Sequence, residues 1–232
     1  MIRILALAAL AIALALPATA EDSTKPIEPF NGKDLSGWKP KDEKRNQWRL
    51  MRVVVNDKEP TLFSKSTSET DPYELVCAKP GGTDLLTEQK FGSMLLELEF
   101  MIPKGSNSGI YFMGEYEVQI YDTYGKKELK VGDMASIYTY AAPKVDACKK
   151  PGEWQKFIID FQAPKFEGEK KVENGKFIKV TFNDKVIHEN VELTKGVTPG
   201  GLTGKEVAMG PLMFQGDHGA VAFRNIKITP KK

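Results

Sequence analysis

The residues best able to do chemistry lie in one stretch, residues 107–125, which reads NSGIYFMGEYEVQIYDTYG. Its middle alternates apolar with polar positions, and the polar ones carry Glu115, Glu117, Gln119 and Tyr121. Successive side chains of a β-strand point to opposite faces, so these four are expected to share one face. Carboxylates, amides and phenols hydrogen-bond sugar hydroxyls and transfer protons. The pattern therefore predicts a surface that handles carbohydrate, and favours a catalytic one.

Glu117 is the predicted general base. It lies mid-strand, opposite in parity to Val118 and Ile120, so its carboxyl is expected to leave the core and enter a concave groove. The plain alternative is a solvated strand glutamate. His218 is the predicted partner, because a histidine in the Gly-Asp-His-Gly turn can act as acid or base near neutral pH. Its alternative is a turn residue that only fixes backbone geometry.

Other polar residues around this strand are predicted to bind substrate. The tyrosines offer a stacking platform or an acidic phenol, and the amides offer hydrogen bonds, although each type also occurs in ordinary turns and sheet edges. The predicted substrate-binding residues read directly from the strands and turns are Asn107, Tyr111, Gln119, Tyr121 and Gln215.

Two charged residues are predicted to support the site. Arg224 shares parity with Ile226 and Ile228, so we expect it to be partly buried and to need a carboxylate partner. That partner is either Glu117 or Asp122, or the pair is purely structural. Asp122 itself ends a strand with core parity, so capping the following loop is its alternative role.

Metal and thiol chemistry is left open. Cys77 and Cys148 form either a disulfide, which export would permit, or two separate thiols, and neither has the spacing of a zinc site. No cofactor is predicted. Asp217, Asp122 and Glu117 leave a divalent cation such as calcium possible, although no EF-hand spacing exists. His188 lies in a polar hairpin arm and is predicted to be exposed.

The elements that position these residues are predicted to be many short β-strands. Period-two alternation recurs between turn signals such as Asn174-Gly175, Asn183-Asp184 and Gly216–Gly219. No sustained helical period occurs, although residues 126–134 could form a turn or two of helix. The glycine- and threonine-rich segment 194–209 is expected to be mobile, as a lid or an idle loop. Together these features predict an all-β, antiparallel two-sheet sandwich of the jelly-roll type.

The N-terminus and composition indicate an exported protein. Residues 1–20 carry Arg3, an apolar run and an Ala-Thr-Ala ending, which is typical of a cleaved signal peptide, and residues 21–29 are predicted to be a flexible leader. One domain is expected over residues 30–230. Losing Arg3 would lower the formal charge from +2 to +1, which excludes electrostatic attraction to nucleic acid or an anionic membrane. We therefore expect a periplasmic or secreted protein.

Five motifs in order resemble those of the 3-keto-disaccharide hydrolase family of bacterial exported proteins. They are FNGKDLSGW (30–38), NSGIY (107–111), YEVQIYD (116–122), PGEWQ (151–155) and GPLMFQGDHGAVAFRNIKI (210–228). The chain departs from the family pattern at Gln155 and at Gly92-Ser93. The resemblance implies a concanavalin-like jelly roll and brings Tyr138 to the cleft. It also implies a carbohydrate substrate that a separate oxidoreductase has first converted to a 3-keto sugar.

A 3-keto sugar can be cleaved by an enzyme that supplies few catalytic groups. The ketone acidifies the proton on the adjacent ring carbon, so a base, a donor to the enolate oxygen and an acid for the leaving group are enough. The closely paired carboxylates of a retaining glycosidase are not needed. Elimination followed by hydration would then hydrolyse the glycosidic bond. A non-catalytic, lectin-like module on the same sandwich is the alternative, because a fold does not dictate a function.

Overall fold

The computed structural model describes residues 25–232, and the predicted signal peptide lies outside them. Within that part the chain forms sixteen strands and one short 3₁₀ helix, Glu43–Arg45. The strands are β1 (Trp38–Pro40), β2 (Trp48–Met51), β3 (Val53–Val55), β4 (Phe63–Lys65), β5 (Glu74–Cys77), β6 (Leu85–Phe91), β7 (Met94–Met101), β8 (Asn107–Phe112), β9 (Tyr116–Tyr121), β10 (Gln155–Gln162), β11 (Lys165–Glu167), β12 (Lys170–Glu173), β13 (Lys176–Phe182), β14 (Lys185–Glu192), β15 (Gly210–Phe214) and β16 (Val221–Pro230).

Two antiparallel sheets form a sandwich. The five-stranded sheet has the order β1-β6-β15-β8-β9, and the seven-stranded sheet has the order β14-β13-β10-β7-β16-β5-β2. Two ribbons, β3-β4 and β11-β12, lie outside them. The predicted all-β jelly-roll sandwich is confirmed. Across residues 25–232, no helix has the length and apolar character needed to cross a membrane.

Strand parity decides which side chains enter the core. In β7, Leu96, Leu98 and Phe100 are buried, whereas Glu97 and Glu99 alternate with them and point away. The same alternation puts Val118 and Ile120 of β9 into the core. Because burial of apolar surface drives folding, a one-residue slip of either strand would expose its whole apolar set. The core therefore fixes which face of β9 carries Glu117.

An aromatic seam joins the two sheets beside the turn that carries His218. Phe214 of β15 stacks on Phe223 of β16, with ring centroids 4.0 Å apart, and the two rings belong to opposite sheets. Trp48 of β2 packs on Phe223, and its indole N–H donates to the Thr83 carbonyl at 2.7 Å. These contacts hold the ends of β15 and β16 together, so the connecting turn starts and finishes on rigid strands.

The turn chemistry agrees with the sequence in the β13-β14 hairpin. Asn183 and Asp184 both have positive φ, 45° and 64°, as a type I′ two-residue turn requires. Residues 126–134 contain turns and bends, and no helix forms there. The described part of the predicted leader is attached to the sheet, since Ile27 exchanges two backbone hydrogen bonds with Ile228, at 2.7 and 2.8 Å.

The prediction that His188 is exposed is wrong. The side chain is 1% exposed, because the segment before Tyr138 covers β14 at this point, and a ring nitrogen, Nε2, donates to the Ala135 carbonyl at 2.9 Å. Burial lowers the pKa of His188, so the neutral ring is favoured. The two cysteines are free thiols: Cys77 is buried and Cys148 is half-buried.

Phe214→Ala is expected to destabilise the protein by about 3–5 kcal/mol, because it removes the central ring of the seam and leaves a cavity between the sheets. Urea unfolding of the variant and the wild type measures the difference. Val54→Ala, at an exposed position outside the main core, is the control and should change stability by less than about 1 kcal/mol. A loss at Phe214 no larger than the control's would contradict the proposed role of the seam.

Candidate functional site

A cavity of about 170 Å³ lies on the outer face of the five-stranded sheet. Nine residues line it, and seven of them are predicted site residues: Asn107, Tyr111, Glu117, Gln119, Tyr138, Gln215 and His218, joined by Pro199 and Gly200. The strands that supply most of them, β8, β9 and the end of β15, are adjacent in the sheet. The structure therefore brings together residues that are up to 111 positions apart in sequence (Asn107 and His218).

Strand pairing places Glu117 in the floor of the cavity. Tyr111 of β8 lies directly opposite Glu117 of β9, and Gly109 lies opposite Gln119. A methyl group on Gly109 would collide with the Glu117 carboxyl oxygen. Because Gly109 has no side chain, the Glu117 carboxyl group can occupy the space beside it.

Both backbone groups of Glu117 are fixed by neighbouring loops. Its N–H donates to the Thr198 hydroxyl oxygen at 3.0 Å, and its carbonyl accepts from the Tyr138 N–H at 3.0 Å. The first contact comes from the 194–209 segment and the second from the segment that follows β9. The strand position of Glu117 is therefore held from two sides, which keeps its side chain in one place.

Glu117 has the electrostatics of a proton-transfer group. The side chain is 3% exposed, and burial raises its pKa from about 4.5 to about 8. The Tyr111 phenol opposes part of this shift, while the charges of Asp84 and Asp217 add to it. No lysine or arginine of the described chain forms a salt bridge with it. Near neutral pH the carboxyl is mostly protonated, and its conjugate base is unusually strong for a glutamate.

Tyr111 stays protonated beside this carboxyl. Burial, and after it the charge of Glu117, raises the pKa of its phenol far above the usual value. The hydroxyl donates to the Pro199 carbonyl at 3.3 Å. Tyr111 is therefore a hydrogen-bond donor in the cavity floor and not a source of phenolate.

Three residues that line the cavity carry carboxamide oxygens without a hydrogen-bond partner in the described part of the chain. One oxygen each of Asn107, Gln119 and Gln215 is buried and has no hydrogen-bond partner within residues 25–232. Buried polar atoms are normally satisfied, and leaving one unpaired costs free energy. Three such atoms belong to residues that line one small cavity.

His218 forms an acid–histidine pair at the rim. Its Nδ1 donates to Asp217 Oδ1 at 2.5 Å, and about half of the side chain is exposed. With Nδ1 engaged, Nε2 is the nitrogen left to exchange a proton. The turn reaches this position because Gly219 packs against Asn107, where a side chain on the glycine would collide with the Asn107 backbone.

Three predicted residues lie elsewhere. Tyr121 is 39% exposed and is not among the residues that line the cavity. Asp122 caps the following loop, which was its predicted alternative role, since Oδ1 accepts the Tyr124 N–H at 3.2 Å, and Oδ2 also accepts the Gly105 N–H of the β7-β8 loop at 2.8 Å. Arg224 pairs with Glu99 at 2.6 Å and stacks on Trp154. The proposed support of Glu117 by Arg224 is therefore wrong: the two lie in different sheets, and Arg224 belongs to a structural ion pair.

Sequence reasoning missed part of the cavity wall. Pro199 and Gly200 line the cavity, and Thr198 holds the Glu117 backbone. The available signal is the glycine- and threonine-rich composition of segment 194–209, which predicts either a lid or an idle loop but does not identify the contacting residues. Its glycines instead allow close contact, since a side chain on Gly200 would meet the Tyr111 hydroxyl at 2.5 Å.

Other depressions lack this chemistry. A larger one, about 910 Å³, lies beside β2 and the β3-β4 ribbon, where Arg52 stacks on Tyr73, and none of the predicted site residues lines it. Within residues 25–232, no group of three or more His, Cys, Asp or Glu side chains is arranged to hold a metal ion. The small cavity at Glu117 is therefore the candidate site.

Comparison with known proteins points to carbohydrate chemistry. Residues 25–229 match the model of the 3-keto-alpha-glucoside-1,2-lyase-like domain. A candidate glycosyl hydrolase of known structure from Parabacteroides distasonis is 27% identical, with a TM-score of 0.65 over 89% of this chain and 84% of its own. A second one from the same organism shares the fold at 17% identity, with a TM-score of 0.59 over 89% and 94% of the two chains. No curated protein matches the sequence.

Glu117→Gln is expected to stabilise the protein more at pH 9 than at pH 5. Because folding raises the pKa of this carboxyl, its contribution to the free energy of unfolding is fully present below about pH 4.5 and is lost as pH rises through about 8. The variant does not titrate there, so its advantage at pH 9 should be roughly 2–5 kcal/mol larger than at pH 5. Urea unfolding at both pH values measures it, with the exposed Glu88→Gln as control. An advantage that is equal at both values would contradict the raised pKa.

Gly109→Ala is expected to destabilise the protein, although alanine normally stabilises a strand relative to glycine. The cause is the collision with the Glu117 carboxyl. A double-mutant cycle separates this cause from others: in a Glu117→Ala background the carboxyl is absent, and Gly109→Ala should be neutral or stabilising. Equal costs in both backgrounds would show that the new methyl group meets something other than Glu117.

Proposed function

The chain belongs to the family of 3-keto-alpha-glucoside-1,2-lyase-like domains, and from this membership we propose that it is an exported enzyme that hydrolyses 3-keto-glycosides and 3-keto-disaccharides. At the coarser level it is a domain that acts on or binds glycosides. The finer proposal, the keto substrate and its mechanism, depends on the residues around Glu117.

The observation that carries the proposal is a single buried carboxyl with a pKa of about 8 in a cavity of about 170 Å³. A base is most effective when its pKa lies near the working pH and near that of the proton it removes. The carbon next to a ketone carries a weakly acidic proton, so a strongly basic carboxylate suits it. Ordinary retaining glycosidases need two carboxyl groups about 5 Å apart, and no second carboxylate lines this cavity.

The proposed reaction starts with elimination. Glu117 takes the proton from the ring carbon between the ketone and the anomeric carbon, and an enolate forms. The enolate expels the anomeric oxygen substituent, to which the imidazolium of His218 gives a proton, and a carbon–carbon double bond results. Carboxamide N–H groups of Asn107, Gln119 or Gln215 are the donors available to the enolate oxygen.

Hydration completes the proposed hydrolysis. Water adds its oxygen to the anomeric carbon, its proton passes to His218, and Glu117 returns a proton to the neighbouring carbon. One glycosidic bond is broken, one water is consumed, and both residues regain their starting protonation. The free 3-keto sugar and the alcohol leave. No oxidant or reductant is used, so an oxidoreductase must have formed the ketone beforehand.

The size and polarity of the cavity support a sugar ring as ligand. The carboxamides of Asn107, Gln119 and Gln215 would hydrogen-bond the sugar hydroxyls, and Tyr138 would contribute an aromatic ring. We propose that one pyranose ring occupies the cavity and that the leaving group extends outward past His218. The predicted signal peptide supports action in the periplasm or outside the cell.

The proposal is tested with a 3-keto-glucoside and its unoxidised parent. The mature protein is expected to release the aglycone from the keto form alone, with kcat/KM rising with pH up to about 8. Glu117→Gln should lower kcat by about 10²–10⁴-fold, whereas Glu88→Gln on the same sheet should leave it unchanged. Chromatography and NMR of the products follow both the elimination and the hydration step.

Three outcomes would contradict parts of this proposal. Equal release from the parent glucoside would show that the ketone is not used. Full activity of Glu117→Gln would exclude Glu117 as the base. Binding of unmodified sugar without turnover of either compound would favour a lectin-like module, for which the unpaired carboxamides would be the binding groups.

A further inference from the structure

The outer face of the five-stranded sheet carries a row of residues that crosses all five strands. Strand pairing aligns Lys39 of β1, Leu86 of β6, Met213 of β15, Tyr111 of β8 and Glu117 of β9. Neighbouring strands lie about 4.8 Å apart, so the row is about 19 Å long. A bare sheet face of this kind would form one continuous groove with the catalytic carboxyl at one end.

The groove is interrupted in the middle. Met213 and Tyr111 are almost fully buried although they point to the outer face, because Leu202 packs over them. Leu202 belongs to the segment Thr198–Gly204, which we call the strap. On one side of the strap lies the cavity at Glu117, and on the other lies a depression of about 420 Å³ lined in part by Lys39, Leu86 and Leu202. The strap therefore divides the sheet face into two compartments.

One residue holds most of the strap. The Glu115 carboxylate accepts from the Thr203 N–H at 2.8 Å, the Thr203 hydroxyl at 2.6 Å and the Gly204 N–H at 3.1 Å. Its backbone carbonyl accepts from the Thr198 N–H at 2.9 Å and from the Thr198 hydroxyl at 3.0 Å. Both ends of the strap are thus bound to a single residue of the turn before β9.

The same residue is connected to the catalytic strand. The Thr198 hydroxyl that donates to Glu115 also accepts the Glu117 N–H, so strap, turn and β9 share one hydrogen-bond chain. Glu115 is itself buried, and within residues 25–232 it forms no salt bridge. Its charge is compensated by the strap donors, since hydrogen bonds to a buried carboxylate are strong.

We infer that Glu115 is a positioning residue that fixes the strap as a wall of the sugar cavity and thereby limits the cavity to one ring. The inference rests on the proposed function for its substrate but on separate contacts for its geometry. When the strap is fixed, Pro199 and Gly200 close the cavity over the Tyr111 hydroxyl. When it is loose, Met213 and Tyr111 become the floor of a groove that is open toward Leu86.

Glu115→Gln is the principal test. The amide keeps the size of the side chain, but its NH₂ group would face one of the strap donors, so at least one hydrogen bond is lost. We expect KM for a small 3-keto-glucoside to rise at least tenfold and kcat to fall by a smaller factor, because the strap also holds the Glu117 backbone through Thr198. The kcat/KM for a keto-sugar with a bulky leaving group, divided by the kcat/KM for the small 3-keto-glucoside, should increase. The exposed Glu128→Gln is the matched control and should leave all three quantities unchanged.

Two further measurements keep the test independent of folding and of the proposed function. Thr203→Val removes a hydroxyl at an exposed position that donates to Glu115 at 2.6 Å and accepts the Lys205 N–H at 3.2 Å, and it should raise KM in the same direction by a smaller factor. Trypsin cleavage after Lys205, the residue that follows the strap, should be faster in Glu115→Gln than in wild type. Thr203→Ser keeps the hydroxyl and should be cleaved at the wild-type rate, whereas Thr203→Val should be cleaved faster.

The outcomes separate the two proposals. Inactivity of the wild type on every keto-glycoside refutes the proposed function, and the rate of cleavage after Lys205 then still tests the strap. An unchanged rate in Glu115→Gln overturns the inference in either case. In an active enzyme, an unchanged KM for the small keto-glucoside would also overturn it, because loosening a wall of the cavity must weaken substrate binding.

Discussion

A carboxyl group buried without a basic partner is the constraint on which the rest of the site depends. Glu117 lies on the face of the sheet that strand parity turns away from the core, yet it is only 3% exposed, because the segments before Tyr138 and around Thr198 enclose it. Ionising a group in such surroundings is costly, and this cost is what raises its pKa to about 8. The same burial that destabilises the charged form makes it a strong base, so stability and reactivity here oppose each other.

The sandwich supplies the rigidity that this arrangement requires. The core side chains of β8 and β9 fix the register, and the register alone puts the space above Gly109 next to the Glu117 carboxyl. The aromatic seam between Phe214 and Phe223 fixes the turn that carries His218. The cavity is thus a consequence of how neighbouring strands align, and its walls are loops attached to those strands by hydrogen bonds.

Sequence patterns predicted what depends on local parity and failed where distant segments meet. Alternation identified the β-sandwich and the outward face of Glu117 and Gln119, and the family resemblance supplied Tyr138. Alternation could not identify the partner of Arg224, because a bulge at Asn225, with a φ of 51°, shifts the register of β16 against β7. Nor could it show that His188 is buried or that segment 194–209 is anchored. Both facts follow from contacts between residues more than 50 positions apart, for which one sequence carries no signal.

In the proposed reaction the same carboxyl acts twice, and its electrostatics suit both steps. Elimination needs Glu117 as an anion that accepts a proton from carbon, and hydration needs it as an acid that returns one. A pKa of about 8 places the two forms within a factor of roughly ten of each other at neutral pH. A carboxyl with an ordinary pKa near 4.5 would be a weaker base and would be almost entirely ionised before hydration. In the proposed mechanism, burial without a counter-ion is what would let one glutamate serve where retaining glycosidases use two carboxyl groups.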